Sequence, residues 1–266
     1  MSFKLLALDL DDTLLNDEFA ISPRNREAVL EATRRGITVT LATGRMFRSA
    51  LTYARELELD VPLITYHGAL VKKAYSGEEI YHCPVPLKEA LEITGYLEER
   101  DCHLNLYVND NLYVREDNEL TRYYVNIANV DFTSVGDLSR FLKEEPTKMT
   151  IINKEEEKLR KLWDKFQERY GQVLSIALSR PFFLEITHVQ ATKGQALKSL
   201  ARSLGIKREE IIAVGDSYND IDMIKLAGMG VAVENARQEV KEAADYITSS
   251  HQEDGVAKVV ERFILS

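Results

Sequence analysis

The sequence predicts an α/β protein, a doubly wound parallel sheet interrupted by an inserted α+β domain. Three observations predict it. Over residues 3–68, short apolar runs alternate with stretches of helical periodicity, the pattern of strands buried on both faces and crossed by helices. From about Pro84 to His188 the texture becomes mixed, and several strand-like runs alternate polar and apolar residues. After Lys193 the first texture returns. The predicted organisation is residues 1–83 and 189–266 as one α/β domain, split by an α+β domain over 84–188.

Each element has its own signal. Residues 3–10, FKLLALDL, read as a buried strand ending in carboxylates. The next helix is capped by Ser22, carries Pro23 at its first position and is closed by Gly36. TVTLAT (38–43) is a second buried strand, residues 46–59 are helical, and LITYHG (63–68) is a third strand leading to a hairpin around Ser76-Gly77. In the middle segment, helices over 87–101, 117–128 and 155–170 alternate with strands YVNDNLYV (107–114), KMTIIN (148–153), VLSIAL (173–178) and FFLEIT (182–187). Their polar–apolar alternation predicts a sheet with one open face. The return consists of a helix at 193–204, strand EIIAVG (210–215), a helix from about 219, strand GVAV (230–233), and helices near 236–243 and 255–264.

Composition excludes several function classes. With 266 residues, 45% of them hydrophobic, the chain can bury one large core or two modest ones. A net charge of −9 leaves no electrostatic footprint for a nucleic-acid partner. An acidic chain that handles phosphates must concentrate positive charge locally. No apolar run approaches the roughly 18–20 residues of a membrane helix, and the opening stretch is too short and too acidic, with Asp9 inside it, for a signal peptide. Cys83 and Cys102 form no disulfide framework and no CxxC pair, so they read as packing residues and a reducing cytoplasm is the expected compartment.

Four short pieces fall at strand ends or helix starts, where open α/β sheets place their ligands. In Asp9-Leu10-Asp11-Asp12-Thr13, two carboxylates two residues apart can divide the labour of phosphoryl transfer: one attacks phosphorus, the other moves the proton. In Thr43-Gly44-Arg45, a hydroxyl and an unhindered backbone N–H can hold a phosphoryl oxygen; the plainer reading is a strand-to-helix turn with Thr43 as cap. Lys193-Gly194 opens a helix. Read alone Lys193 is a solvated lysine, and in context it can neutralise a phosphate beside the nucleophile. In Gly215-Asp216-Ser217-Tyr218-Asn219-Asp220, carboxylates near Asp9 would repel unless a cation joined them, and a hard, oxygen-seeking cation beside phosphate points to Mg²⁺. The plainer reading makes Asn219 or Asp220 a helix cap.

Taken together these pieces resemble the haloacid dehalogenase-like (HAD) hydrolase superfamily, whose core is Rossmann-like. Segment 84–188 resembles the sheet-containing C2B cap of Cof-type (IIB) phosphatases, and LEITHVQATKGQAL (184–197) is similar to that group's return from cap to core. The resemblance implies roles. Asp9 would be the nucleophile and a Mg²⁺ ligand. Asp11 would be the general acid/base and give its backbone carbonyl to the metal, and Asp216 would be the third protein ligand. Asp220 would support the metal shell through water or orient Lys193. Leu10 N–H, Thr43, Gly44, Lys193 and Asn219 would contact the phosphate, residues 14–21 would form a flap, and Arg45 follows the same motif with a role less defined. Two positions depart from the pattern. Asp12 stands where many relatives have Gly, and Asp tolerates the backbone angles required. His67 stands where Asn is frequent; it reads as a hydrogen-bonded rim residue or as a substrate contact.

The resemblance implies a Mg²⁺-dependent phosphatase acting through an aspartyl-phosphate on a small phosphorylated metabolite, with the cap closing over the site to choose the leaving group. Sugar phosphates lead; pyridoxal phosphate and flavin mononucleotide are alternatives. A sugar phosphomutase on the same scaffold and a non-catalytic phospho-ligand sensor are the rival readings, and a dehalogenase would have no use for the proton carried by Asp11. The expected assembly is a monomer or homodimer, with neither nucleic acid nor membrane as partner. His82, His103, His188 and His251 show no metal-ligand spacing, and the tyrosines at 107, 113, 123 and 124 read as cap core or rim.

Overall fold

Four consecutive buried apolar residues, Leu5–Leu8, form strand β1, and the lack of alternation is what a strand covered on both faces requires. The architecture is that of a computed structural model describing residues 3–180 and 182–266; Met1 and Ser2, at the start of the stretch read as no signal peptide, lie outside the described residues. After β1 come α1 (Pro23–Arg34), β2 (Thr38–Leu41), α2 (Phe47–Glu56), β3 (Pro62–Thr65), β4 (Leu70–Lys73) and β5 (Glu79–His82). The middle segment carries α3 (Leu87–Glu98), β6 (His103–Val108), β7 (Asn111–Val114), α4 (Glu119–Ala128) and β8 (Phe132–Ser134). It continues through α5 (Leu138–Phe141), β9 (Lys148–Ile152), α6 (Glu156–Tyr170), β10 (Leu174–Arg180) and β11 (Phe183–His188). The return carries α7 (Lys193–Ser203), β12 (Ile211–Gly215), α8 (Ile221–Leu226), β13 (Met229–Ala232), α9 (Gln238–Ala243), β14 (Tyr246–Ile247) and α10 (Gly255–Val260). Two compact units result, one from the chain up to Tyr81 with Thr192–Ser266, the other from His82–Ala191.

The first unit is built on a parallel sheet of order β14-β13-β12-β1-β2. Leu5 pairs with Ile211 on one side and Thr38 on the other, so β1 is central. Chain order reverses between β1 and β12, a topological switch point, and the carboxyl ends of β1, β2 and β12 open side by side there. Helix α7 lays Ala196, Leu197, Leu200 and Ala201 against Leu5, Ala7 and Ala213. Ser22 accepts a 3.1 Å bond from the Asn25 N–H at the start of α1, with Pro23 at its first position and Gly36 at φ +82° beyond its end. Strand β3 departs from expectation. It meets the parallel sheet only at its edge, through the Ala42–Ile64 bridge just beyond β2 and the Thr40 hydroxyl donating to Pro62 O at 2.6 Å, and pairs antiparallel with β4 in a separate β3-β4-β5 sheet.

The second unit is a six-stranded sheet of order β10-β11-β9-β6-β7-β8, antiparallel except for the β7–β8 pair. Helices α3 and α6 cover one face with Ile93, Leu97, Leu159 and Phe166 packed over Leu106, Met149, Ile151 and Leu184. The opposite face is polar in sequence but not open: Asn105, Tyr107, Lys148 and Thr150 are buried. Lys148 pairs with Glu185 at 2.8 Å, and Tyr124 of α4 packs its ring on Tyr107 and Phe183. Alternation reported the side-chain period correctly, but Lys148 and Tyr107 find partners in Glu185 and Tyr124, and α4 covers part of the face.

Residues 107–114, expected as one strand, are two strands of a hairpin. Asn109 (φ 51°) and Asp110 (φ 58°) turn the chain, two successive left-handed residues of the kind a two-residue hairpin needs. Asn109→Gly is therefore expected to hold stability to within a few tenths of a kcal/mol, and Asn109→Val, which forces a β-branched residue into the left-handed region, to cost about 1–2 kcal/mol. Urea denaturation of the two variants checks this; equal midpoints would refute the turn assignment.

Candidate active site

Strand β1 runs directly into Asp9, whose backbone N–H donates to Val214 O at 3.0 Å and so ties the turn to β12. The chain then leaves the sheet in a tight turn over Leu10–Leu14. Asp12 takes φ 57° in that turn, the left-handed angle a glycine supplies elsewhere. A short flap follows, closed by the Leu15–Ile21 bridge and the Asn16 N–H to Ala20 O bond.

The centre of the site is a buried ion cluster. The Lys193 ammonium, 1% exposed, donates to Asp9 Oδ1 at 2.5 Å and to Asp220 Oδ1 at 2.6 Å. Far from being a solvated lysine, it is among the most buried large side chains of the chain. Asp220 Oδ2 accepts from the backbone N–H groups of Asp216 (3.1 Å) and Ser217 (3.0 Å), so this carboxylate is fully engaged by protein donors. Asp216 accepts from Thr13 Oγ at 3.3 Å and from Ser217 Oγ at 2.7 Å. Thr13 and Ser217 received no role from sequence; Ser217 adjoins Asp216 and Thr13 closes the Asp9–Thr13 motif, and those placements were the available signal.

Electrostatics in this cluster are unbalanced. Burial, reinforced by Asp220 and Asp216, holds the Asp9 carboxyl well above its usual range against the pull of Lys193. Burial likewise raises Asp216, against the bond from Ser217. The two carboxylates bonded to Lys193 outweigh the burial that opposes its charge and keep it protonated. Oxygens of Asp9, Asp216 and Asp220 lie within 4.8 Å of one another. Three buried carboxylates sharing one ammonium, all with hard oxygen donors, form a set that suits a divalent cation of the Mg²⁺ type.

The other expected residues surround this cluster in two shells of loop. Thr43, fully buried, accepts from the Arg45 N–H at 3.1 Å; it caps its own turn rather than α2, which starts at Phe47. His67, at φ 59°, donates its N–H to Thr43 O and places its ring against Gly44, where a Cβ would come within 2.3 Å of the imidazole. The same ring meets Asn219 Nδ2 through Nδ1 at 3.1 Å. His67 thus ties the Thr43-Gly44 loop to the Asn219 loop. Gly68 passes so close to the Thr192 carbonyl that a Cβ would sit 2.2 Å from it, and Thr192 caps α7, whose first residue is Lys193. Asp222 accepts from the Gly194 N–H at 2.9 Å and fixes the same helix start. Leu10 is buried in the turn after Asp9. Asp11 alone stands apart: its carboxylate turns onto Arg45.

Comparison with known proteins decides the family. A model of the haloacid dehalogenase-like hydrolases matches residues 6–260. The chain belongs to the haloacid dehalogenase-like hydrolases. It is similar to two Bacillus subtilis phosphatases: YcsE, a 5-amino-6-(5-phospho-D-ribitylamino)uracil phosphatase (35% identical over 268 residues, 100% of this chain and 97% of the relative), and YwpJ (30% over 287 residues, 98% and 100%). Among solved structures, a haloacid dehalogenase-like hydrolase from Bacteroides thetaiotaomicron superposes with TM-score 0.91 at 31% identity over 99% of this chain and 100% of its own. The subclass IIB sugar phosphatase BT4131 superposes with TM-score 0.80 at 29% identity over 98% of both chains. The HAD chain described here is accordingly a phosphoric monoester hydrolase of the Cof-type branch, with a parallel core sheet and an additional antiparallel cap sheet. Among the described residues no helix is long and apolar enough to cross a membrane.

The raised carboxyls carry a consequence for stability. Above about pH 4, the ordinary carboxyl value, the folded HAD core keeps protons on Asp9 and Asp216 that the unfolded chain has released. Stability from these groups therefore falls as pH rises through the weakly acidic range, whereas Lys193, raised in the fold, loses its contribution only in the alkaline range. Without divalent cation, the thermal midpoint of Asp9→Asn relative to wild type should rise as the pH is raised above about 4, as scanning calorimetry would show. A flat or falling difference would mean that Asp9 ionises freely in the fold.

Proposed function

We propose that this enzyme is a Mg²⁺-dependent phosphatase of small phosphorylated metabolites, sugar phosphates foremost, working through an aspartyl-phosphate on Asp9. The observation that carries the reading is the buried Lys193 bonded to both Asp9 and Asp220, with Asp216 beside them. An ammonium buried among carboxylates at the end of a central strand has no packing value that a leucine would not supply better, and its charge suits an incoming phosphate.

In this reading Asp9 Oδ attacks phosphorus in line, forming an O–P bond as the ester P–O bond breaks, and Asp11 gives a proton to the departing alkoxide oxygen. Water then attacks the acyl-phosphate, Asp11 takes its proton, and inorganic phosphate leaves with the Asp9 carboxylate restored. Leu10 N–H, Thr43, Gly44, Asn219 and Lys193 hold the phosphoryl oxygens. Asp9, Asp216 and the Asp11 carbonyl hold the cation, and Asp220 keeps Lys193 in place. Bound there, Mg²⁺ supplies neutralisation of charge on the transferred phosphoryl group. His67 serves as the strap between the two phosphate-side loops rather than as an acid or base.

The relatives support the substrate class. BT4131 is described as a sugar phosphatase, and the phosphate that YcsE removes sits on a ribityl chain. A polyhydroxylated alcohol as leaving group accommodates both.

Asp9→Asn should lower Mg²⁺-dependent phosphate release from 4-nitrophenyl phosphate by at least about 10³-fold; undiminished release would exclude the covalent route. Mg²⁺ at about 100 times its Kd should stabilise the fold by about 2.7 kcal/mol at pH 7, reversed by EDTA. The increment should vanish in Asp216→Asn, and its persistence there would move the cation elsewhere.

A further inference from the structure

The flap carries an aromatic ring that folding does not explain. Phe19 is 59% exposed, the most exposed large apolar side chain among the described residues. It also holds φ 57°, a left-handed angle that suits Gly or Asn and disfavours a bulky residue. The turn around it is firmly bonded. Phe19 N–H donates to Asn16 O at 2.9 Å, and Asn16 Oδ1 accepts from the N–H groups of Glu18 (3.1 Å) and Ala20 (3.0 Å). Phe19 O accepts from Tyr53 Oη at 3.3 Å. An apolar ring held outward on a strained turn gains nothing from burial, and strain of this kind gathers where ligands are held.

The ring is also backed. The Arg45 guanidinium lies over it at 5.7 Å and over the Tyr53 ring at 5.2 Å. Three bonds fix that guanidinium: Nε to Asp11 Oδ2 at 2.9 Å, Nη2 to Asp11 Oδ1 at 2.5 Å and Nη1 to Tyr53 Oη at 3.2 Å. Phe19 therefore has one face on a fixed cation, while most of the residue stays open to water. Tyr218, an exposed ring within the Gly215–Asp220 piece, differs: its hydroxyl donates to Glu239 at 2.9 Å, and that bond accounts for where it stands. Phe19 brings no hydrogen-bonding group, so what it can recognise is a face, and flat conjugated rings stack on such a face in offset. Because Arg45 also grips Asp11, which the phosphatase reading sets at the leaving oxygen, the ring stands on the leaving-group side of the site.

We infer that Phe19 is a specificity-determining residue whose open face stacks on a flat conjugated ring of the leaving alcohol, a ring joined to the phosphate by a short polyol chain. The chain is needed because the guanidinium stands between Asp11 and the ring of Phe19. The inference rests on the phosphatase reading and narrows its polyhydroxylated alcohols to those that end in such a ring. Phe19 makes and breaks no bond: it holds the far end of the alcohol, and that remote contact serves to orient the phosphate end.

Two phosphates that share a ribityl chain and differ in the ring isolate this contact: flavin mononucleotide and ribitol 5-phosphate. With Mg²⁺ present, wild type should show a kcat/KM at least about tenfold higher on flavin mononucleotide, the scale on which alanine removes one stacked ring. Phe19→Ala should bring the two values to within about threefold of each other, by a loss on flavin mononucleotide. Phe19→Tyr, which keeps the face, should keep the preference. Phe19→Leu, apolar but not flat, should lose it. Phe19→Asn, which suits the left-handed angle, carries the test if melting curves show that Phe19→Ala does not fold. Equal losses on both phosphates would overturn the inference and leave Phe19 as a residue of flap structure alone. A wild type with no preference for the ring, or a preference that survives Phe19→Ala, would overturn it as well. Absence of phosphate release from 4-nitrophenyl phosphate by wild type would instead remove the phosphatase reading and the inference with it.

Discussion

The burial of Lys193 is the constraint on which this active site depends. An ammonium 1% exposed must be surrounded by acceptors, and the acceptors are Asp9 at the end of β1 and Asp220 beyond the end of β12. That pairing fixes which strands must be neighbours: β1 and β12 lie side by side in register, Leu5 against Ile211. It also fixes the approach of α7, which enters with Lys193 as its first residue. Thr192 caps that helix and Asp222 takes the Gly194 N–H. Gly194 leaves room for the Asp222 carboxylate, since a Cβ there would lie 2.7 Å from Oδ2. The geometry of the ion cluster and the packing of the core sheet are therefore one problem with one solution.

The ion cluster is stable in spite of its composition. Asp9 and Asp216 are buried with raised carboxyls, and Thr13, Ser217 and two backbone N–H groups are spent on satisfying Asp216 and Asp220. Nothing in the strand ends compels such crowding. A fold selected for stability alone would place apolar side chains there. Backbone strain gathers in the same region: Asp12, Tyr66 and His67 all hold positive φ, and Tyr66 is a bulky, fully buried side chain in that conformation. Unbalanced charge and strained loops together mark a site whose geometry serves a ligand rather than the free chain.

How much of this was legible in sequence follows from the range of each interaction. Asp9, Thr43 and Asp216 each follow an apolar strand directly, so local pattern places them at strand ends, and the doubly wound rule then gathers the ends. Lys193 was placed by the same logic through its helix start, yet nothing local indicated its burial, which comes from residues 184 and 27 positions away. The Asp11–Arg45 pair, 34 residues apart, was illegible for the same reason. Strand β3 was read as a third parallel strand because an apolar run looks alike in either sheet; its antiparallel pairing with β4 is a matter of partner, not of composition. The turn at Asn109-Asp110 did have a local signal, two turn-prone residues inside a strand-like run, and the aromatic residues flanking it concealed it.

The second unit shows why substrate identity resists sequence more than chemistry does. Chemistry at the core is set by residue types that phosphoryl transfer itself demands, so a carboxylate at position 9 or an ammonium at 193 can be read as soon as it is placed. Recognition of a leaving alcohol demands no particular residue type. The polar face of the cap sheet illustrates this: Lys148, Glu185, Tyr107 and Tyr124 are polar side chains of the kind that bind sugars, yet they are engaged with one another, Lys148 with Glu185 and Tyr107 with Tyr124 at 2.5 Å. Once paired inside the unit they stabilise its sheet. Each such pair spends two polar side chains on the fold of the unit itself.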